Sequence, residues 1–418
     1  MRILVVYLSP QFPMRYAIAD HLYAFRRYSK HHCFYFNALR PTVPDYLKNI
    51  TWDAVIFHNT FLVRRGAWDY ERICERLSFL KDQDCPKVVI AQDEHNQTDT
   101  LCAFIRDFGV SLVSTECPTD KEVDTAYKGH IPADVKLIKH LPGYVDDRRV
   151  RQMKKYWNNK RDIDIGYRSF AVRGRLGRLG ILKWKIADEV EKHAAKFGLH
   201  TDISTSIKKT LYGFDWMRFL ARCHYTLGVE GGSSVIDRDG TIYRYERANP
   251  DADFDEIETN CFAGQDGNFN YAIMSPRVFE AAMSRTCLIM VEGDYNGILK
   301  PDVHYIPIKK DFSNIEEVLG GLSDQERKTR MVEKTYQDLI ASGQYAYDIF
   351  VRDCLSVLDG RPQSEGAQSK IRTNILYYIN ITDEAWERAK FYLRKHNPLY
   401  SLKELAKPYV KRTQGQAS

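Results

Sequence analysis

The sequence predicts an α/β chain folded as two parallel-sheet domains facing one deep cleft, with a C-terminal helical extension. Three observations lead there. Short apolar runs alternate with stretches of helical spacing, and the alternation occurs in two successive series. The length of 418 residues exceeds one ordinary core and suits two domains with an appendage. The net charge of +6 is also unevenly placed. From residue 370 onward ten basic residues (Lys370, Arg372, Arg388, Lys390, Arg394, Lys395, Lys403, Lys407, Lys411, Arg412) face only four acids (Asp383, Glu384, Glu387, Glu404). The tail therefore carries the whole surplus, and the body is electrically balanced.

The first series supplies strands at 3–8, 33–36, 54–58, 87–91 and 110–114, with helices between them. About six such units fit before residue 145, one Rossmann-like domain. Residues 143–160 are basic and polar without apolar period, and read as the connection. The second series begins at residue 162 and continues through a long helix at 183–197 and a strand at 225–229. Residues 231–270 read as irregular. A helix at 276–284 and a strand at 286–291 follow, and 346–358 reads as the last helix of the second domain. The expected division is 1–150, 151–360, and a linker with a basic helical tail over 361–418.

Composition excludes several classes. Hydrophobic residues make up 44% and charged residues 28%, as in water-soluble proteins. No run of 18 apolar residues occurs, and the opening apolar stretch is too short for a signal peptide, so action in the cytoplasm is expected. The nine cysteines are scattered without a C-x-x-C pair, which argues against a disulfide framework or a zinc knuckle. A balanced body argues against general nucleic-acid binding. No P-loop, G-x-S-x-G or H-E-x-x-H motif is present, and the first strand runs into Ser9-Pro10-Gln11-Phe12-Pro13 instead of a dinucleotide fingerprint.

The most informative segment is Ser275-Pro276-Arg277-Val278-Phe279-Glu280. Ser275 suits an N-cap and Pro276 the first helical position. Arg277 in a first turn opposes the helix dipole, which a bound anion would offset. Glu280, one turn in, is placed to accept hydrogen bonds from adjacent ribose hydroxyls. The alternative is an ordinary well-capped surface helix.

This segment resembles the donor-binding unit of GT-B glycosyltransferases, in particular bacterial spore-maturation and surface-polysaccharide transferases. Gly297-Ile298-Leu299-Lys300-Pro301 and His304-Tyr305-Ile306-Pro307-Ile308 continue the likeness. The resemblance implies transfer of a sugar from a nucleotide-diphosphate sugar to a glycan, a lipid-linked or another hydroxyl acceptor. It also implies that an Arg and a Lys at the entry of the second domain neutralise the departing diphosphate; Arg168 and Lys183 fit. The retaining members carry a second glutamate eight residues before the one matched by Glu280, where this chain has Ala272. Retention or inversion is therefore left open.

The loop Gly228–Gly240 is a second donor-side element by resemblance. Glu230 is placed to accept from sugar hydroxyls, while Gly232, Ser233 and Ser234 allow close approach of a phosphate. A plain turn is the competing reading. Asp237-Arg238-Asp239 has the form of a metal motif, yet Asp239-Gly240 before Thr241-Ile242-Tyr243-Arg244-Tyr245 reads as a hairpin turn. Metal independence is expected, with no cofactor beyond the nucleotide-sugar co-substrate. On the first domain Asp93, Glu94 and His95 end a buried strand facing the cleft, and any of them suits a general base. His58 is a further candidate.

In the tail, Trp386, Ala389 and Leu393 share one helical face. Docking on the first domain with Trp386 as a core residue is the first expectation, and peripheral contact with an anionic membrane the second. Two rivals stand beside the transferase reading. One is a nucleotide-sugar epimerase or hydrolase on the same fold. The other is a non-catalytic glycan-binding homologue, which Ala272 keeps open.

Overall fold

The structure, a computed structural model, describes residues 1–10, 12–360 and 367–395. The first domain holds six strands: β1 (Arg2–Tyr7), β2 (His32–Asn37), β3 (Ala54–Phe57), β4 (Lys87–Ile90), β5 (Leu112–Thr115) and β6 (Lys136–Lys139). They form one parallel sheet in the order β2-β1-β3-β4-β5-β6. Ile3, Val5 and Tyr7 join one core and Leu4, Val6 and Leu8 the other, so both faces of the sheet are covered. Hence the strands read as unbroken apolar runs, because side chains alternate between two dry layers. Strand β6 escaped the sequence reading: its Lys136 and Lys139 are exposed on an outer edge.

The second domain holds β7 (Ile163–Arg168), β8 (Thr201–Ser204), β9 (Cys223–Gly228), β10 (Gly231–Ser233), β11 (Tyr271–Ile273), β12 (Cys287–Val291) and β13 (Tyr305–Ile308). Five of these make a parallel sheet ordered β13-β12-β9-β7-β8, while β10 and β11 pair antiparallel. The helix Gly177–Ala194 covers β7 and β9 with Ile186, Ala187 and Val190. Two parallel-sheet domains thus face one cleft, the fold class that the sequence predicts.

Four local expectations are corrected. The 143–160 connection contains a helix, Asp147–Lys154, started by the Asp146 carboxylate accepting from Arg148 N–H; Val150 and Met153 bury against Val278 and Ala282. The 241–245 run is no hairpin strand but the start of the helix Thr241–Ala248. Asp237 takes the backbone N–H groups of Ile242 and Tyr243 at 3.1 and 2.9 Å, and this capping overrides the β-propensity of Ile and Tyr. The helix Tyr347–Cys354 does not close the second domain. Its Tyr347, Phe350, Val351 and Cys354 join the first domain's core, with Phe350 on the Phe25 ring and Cys354 beside Ser114 of β5. The chain thus crosses back, and the two crossings lie side by side: Val145 N–H donates to Tyr345 O and Tyr347 N–H to Val145 O.

The fourth correction concerns residues 231–270, which are ordered and leave their own domain. Phe269, Tyr271 and Ile273 insert into the first domain's core beside Leu101 and Phe104. Backbone bonds join Asp237 N–H to His95 O and Gln97 N–H to Asp237 O, both at 2.6 Å, and Arg238 pairs with Asp99 at 2.7 Å. Three such buried side chains contribute about 1.5–3 kcal/mol each. Closing a loop of this length costs about 3 kcal/mol, so the excursion is held.

The helix Ala367–Lys395 lies along the outer edge of β2. Asn380 completes that edge with its side chain, donating to Tyr35 O at 3.0 Å and accepting from Tyr35 N–H at 2.9 Å. Docking therefore occurs as expected, but not through Trp386, which is 58% exposed; Tyr377, Asn380, Asp383 and Glu384 face the domain instead.

Candidate functional site

Between the carboxyl ends of the two sheets lies a cleft of about 340 Å³. The first domain contributes Arg15, Tyr16, His21, Asn59 and Gln92; the second contributes Arg168, Lys183, Trp216, Ser275, Arg277 and Glu280. Open α/β sheets bind ligands at this edge because successive βα turns diverge there.

Glu280 stands on the short helix Arg277–Met283 and faces the cleft. Trp216 donates its indole N–H to one carboxylate oxygen at 2.7 Å. Burial is the main cause that lifts the carboxyl from 4.5 to about 7, against the opposing pull of Trp216 and Arg277. Its other oxygen is free to accept from a ligand hydroxyl. Ser275 sits at the expected start, its Oγ accepting from Arg277 N–H at 3.4 Å. Arg277 donates to Arg168 O and lies 5.4 Å from the centre of the Trp216 ring.

Lys183 projects from the helix Gly177–Ala194 into the same space. Among the described residues its ammonium makes no hydrogen bond and no ion pair. Burial lowers it from 10.5 to about 8; Asp93 across the cleft pulls it up, while Arg277 and Arg175 push it down. Arg168 lines the cleft too, but its fork is engaged: it bonds Asp202 O at 2.7 Å and Asp202 Oδ1 at 2.8 Å, over the Phe219 ring.

The Gly228–Gly240 loop is occupied with its own fold. Glu230 accepts from Tyr295 N–H at 2.8 Å and fills the space beside Gly293. Its carboxyl is raised by burial. Gly232, at φ 96°, pairs in β10 where a Cβ would overlap Tyr271 O. Ser233 bonds Val235 O at 2.8 Å, and Ser234 bonds Asp266 at 2.6 Å while accepting from Leu179 N–H at 3.2 Å. Glu230, Gly232, Ser233 and Ser234 thus lie off the cleft wall, while Gly228, Val229 and Gly231 of this loop line it.

The three first-domain candidates part company. Glu94 is fully buried and accepts from Thr115 Oγ1, Tyr127 OH, Glu116 N–H at 2.9 Å and Tyr271 OH at 2.8 Å. Four donors leave it no capacity for a substrate proton. His95 packs on the Tyr271 ring, its Nδ1 lacks a partner among the described residues, and burial lowers it to about 4, so it is neutral. Asp93 is exposed, in the left-handed region at φ 51°. None of the three lines the cleft, against expectation, but Asp93 is the acid whose charge reaches Lys183. Among the described residues no group of three His, Cys, Asp or Glu side chains is placed to hold a metal ion.

Two contributors carried no sequence signal. Buried Arg65 binds the carbonyls of Leu62, Gln92, Asp93 and Asn96, fixing the turn that presents Asp93. His21 lines the cleft, with Nδ1 2.9 Å from His58 Nε2. His58 Nδ1 accepts from Thr60 N–H at 3.2 Å, so its proton sits on Nε2 and is donated to His21. Both rings are held neutral by burial. His21 Nε2 is then a donor, and it has no partner among the described residues.

No protein-family model and no curated protein matches the chain. Among solved structures the chain is similar to a range of proteins at low identity, these three among them. HepE of Anabaena, in complex with UDP-glucose, aligns at TM-score 0.44 and 11% identity, over 86% of this chain and 99% of that one. A DNA-modifying β-glucosyltransferase, solved with and without uridine diphosphoglucose, aligns at 0.48 and 10%, over 85% and 100%. Sucrose-phosphate synthase from Thermosynechococcus elongatus aligns at 0.49 and 8%, over 85% and 98%.

Proposed function

We propose that the chain is a metal-independent glycosyltransferase that uses a nucleotide-diphosphate sugar bound in the cleft. The observation that carries this reading is the Lys183 ammonium, with no hydrogen bond or ion pair among the described residues, lining the same cleft as the Glu280 carboxyl. A half-buried cation that no side chain of the described residues pairs is stabilised when an anion meets it. Lys183 and Arg277 take the diphosphate, and Glu280 takes the two ribose hydroxyls. As the bond to the anomeric carbon breaks, negative charge grows on the diphosphate, where fixed cations stabilise it most. Asp93, presented from the first domain, accepts the proton of the attacking hydroxyl. The acceptor is a glycan or lipid-linked hydroxyl compound, met in the cytoplasm or at the inner face of a membrane.

The test is a thermal-shift screen of nucleotide diphosphates and nucleotide sugars on wild type, Lys183→Ala and Glu280→Ala. One nucleotide family raises the wild-type melting temperature, and either substitution removes most of the shift. A wild type that no nucleotide stabilises sinks the donor assignment. A second reading, a binding subunit without turnover, is favoured by one observation: Ala272 lies in β11, where the retaining group's other glutamate would stand. Stabilisation by a nucleotide sugar with no consumption of it in any acceptor pool would select that reading.

A further inference from the structure

We propose that the outer face of the helix Ala367–Lys395 is a docking surface for an anionic lipid bilayer. At 100° per residue, Ile371, Ile375, Tyr378, Ile379, Trp386 and Leu393 fall within one stripe about 100° wide and six turns long. All six are large and exposed, from 43% at Ile379 to 69% at Tyr378. The small residues Thr382 and Ala389 complete the stripe without interrupting it. A contiguous apolar strip of that length on a domain whose own core is complete marks an interaction surface.

The charge around the stripe selects the partner. All three acids of this helix are turned away and neutralised: Asp383 by Arg40 at 2.6 Å, Glu384 by Arg26 at 3.0 Å and by Arg388, and Glu387 by Lys390 at 3.1 Å. Exposed Arg372 borders the stripe, with Lys390 on the same side. The sequence beyond adds Lys403, Lys407, Lys411 and Arg412 against Glu404 alone. An apolar strip bordered on one side by cations, with its acids spent internally, matches an interface of acyl chains under negative headgroups. A second copy of the chain would bring its own cations to the same strip.

Position gives the surface a use. The helix runs alongside β2 in the strand's own direction: Tyr377 meets Phe34, Asn380 meets Tyr35, and Arg388 lies 5.3 Å from the Phe12 ring. Its later turns therefore reach the carboxyl edge of the sheet, where the cleft opens. Docking does not depend on the transferase reading; only the delivery of a lipid-linked acceptor to the cleft does.

Flotation of the full chain tests this, with vesicles of phosphatidylcholine alone and of phosphatidylcholine mixed with phosphatidylglycerol. Wild type floats with the anionic vesicles and about tenfold less with neutral ones, and added salt weakens the association. Ile375→Ser combined with Trp386→Ser lowers anionic binding about tenfold while the melting temperature holds, since both side chains are exposed. Ile371→Ser with Leu393→Ser is the independent second variant. Equal flotation of wild type and both variants, or no flotation of wild type, overturns the proposal. A wild-type dimer in light scattering that these variants convert to monomer, without flotation, assigns the strip to self-association instead.

Discussion

Trp216 donates its indole N–H to Glu280 across 2.7 Å inside the cleft, and the bond satisfies only half of a carboxyl that burial holds near 7. The sign of the consequence follows from the protons. Between 4.5 and 7 the folded state keeps a proton that the unfolded state has lost, so this group's contribution to stability falls as pH rises. Glu280→Gln keeps the Trp216 bond and removes the titration. The variant is expected to match wild type near pH 5 and to exceed it above pH 8, by at most about 3 kcal/mol. Urea melts at the two pH values check this.

Lys183 gives the opposite profile. Its folded value of about 8 lies below 10.5, so above pH 8 the folded ammonium is lost while the unfolded one persists. Nucleotide diphosphate affinity should fall once the pH passes 8, and titration calorimetry across that range reads it. Lys183→Ala should bind the diphosphate about 30-fold more weakly, the loss of one charge-assisted contact of about 2 kcal/mol, without loss of melting temperature.

Asp93 and Glu94 are neighbours with separable roles. Asp93→Asn should leave folding unchanged, leave nucleotide affinity unchanged at pH 6, where Lys183 stays charged, and lower turnover about a hundredfold or more. Glu94→Ala should cost about 3 kcal/mol of stability, because Tyr127, Tyr271 and Thr115 lose their common acceptor. An Asp93→Asn variant with normal turnover would remove Asp93 from the mechanism.

Tyr271→Phe isolates the tether between domains. Its hydroxyl serves Glu94 and, at 3.2 Å, Glu116, whose carboxyl burial already raises. Removing it should cost about 1–3 kcal/mol and speed proteolysis within 231–270, as read by limited digestion.

The strand ladder was legible because a sheet buried on both faces forces unbroken apolar runs, as in Ile3–Leu8. Arg277 was legible as a cleft residue because a cation in a first turn opposes the helix dipole, Glu280 because it stands one turn in from the helix start, and Lys183 through the resemblance. The Gly228–Gly240 loop misled for a physical reason. Glycines and serines that approach a phosphate look the same in sequence as those that fold a tight crossing, and here Ser234 spends its hydroxyl on Asp266. Trp216 and Arg65 were illegible, since their roles depend on partners 64 residues or up to 31 residues away. The stripe from Ile371 to Leu393 was half visible: its period was read at Trp386, but which side met the protein required the edge of β2.

The segment that leaves the second domain at Gly231 and returns at Ile273 has a mechanical meaning. With the paired crossings at Val145 and Ala346 it gives the two halves two separate points of attachment. Two fixed points define a line, and a body so held keeps a single degree of freedom, rotation about that line. The molecule is then a door on two hinges instead of a jaw on one. Solution scattering should record at most a swing in one direction when nucleotide enters, with no twist or slide.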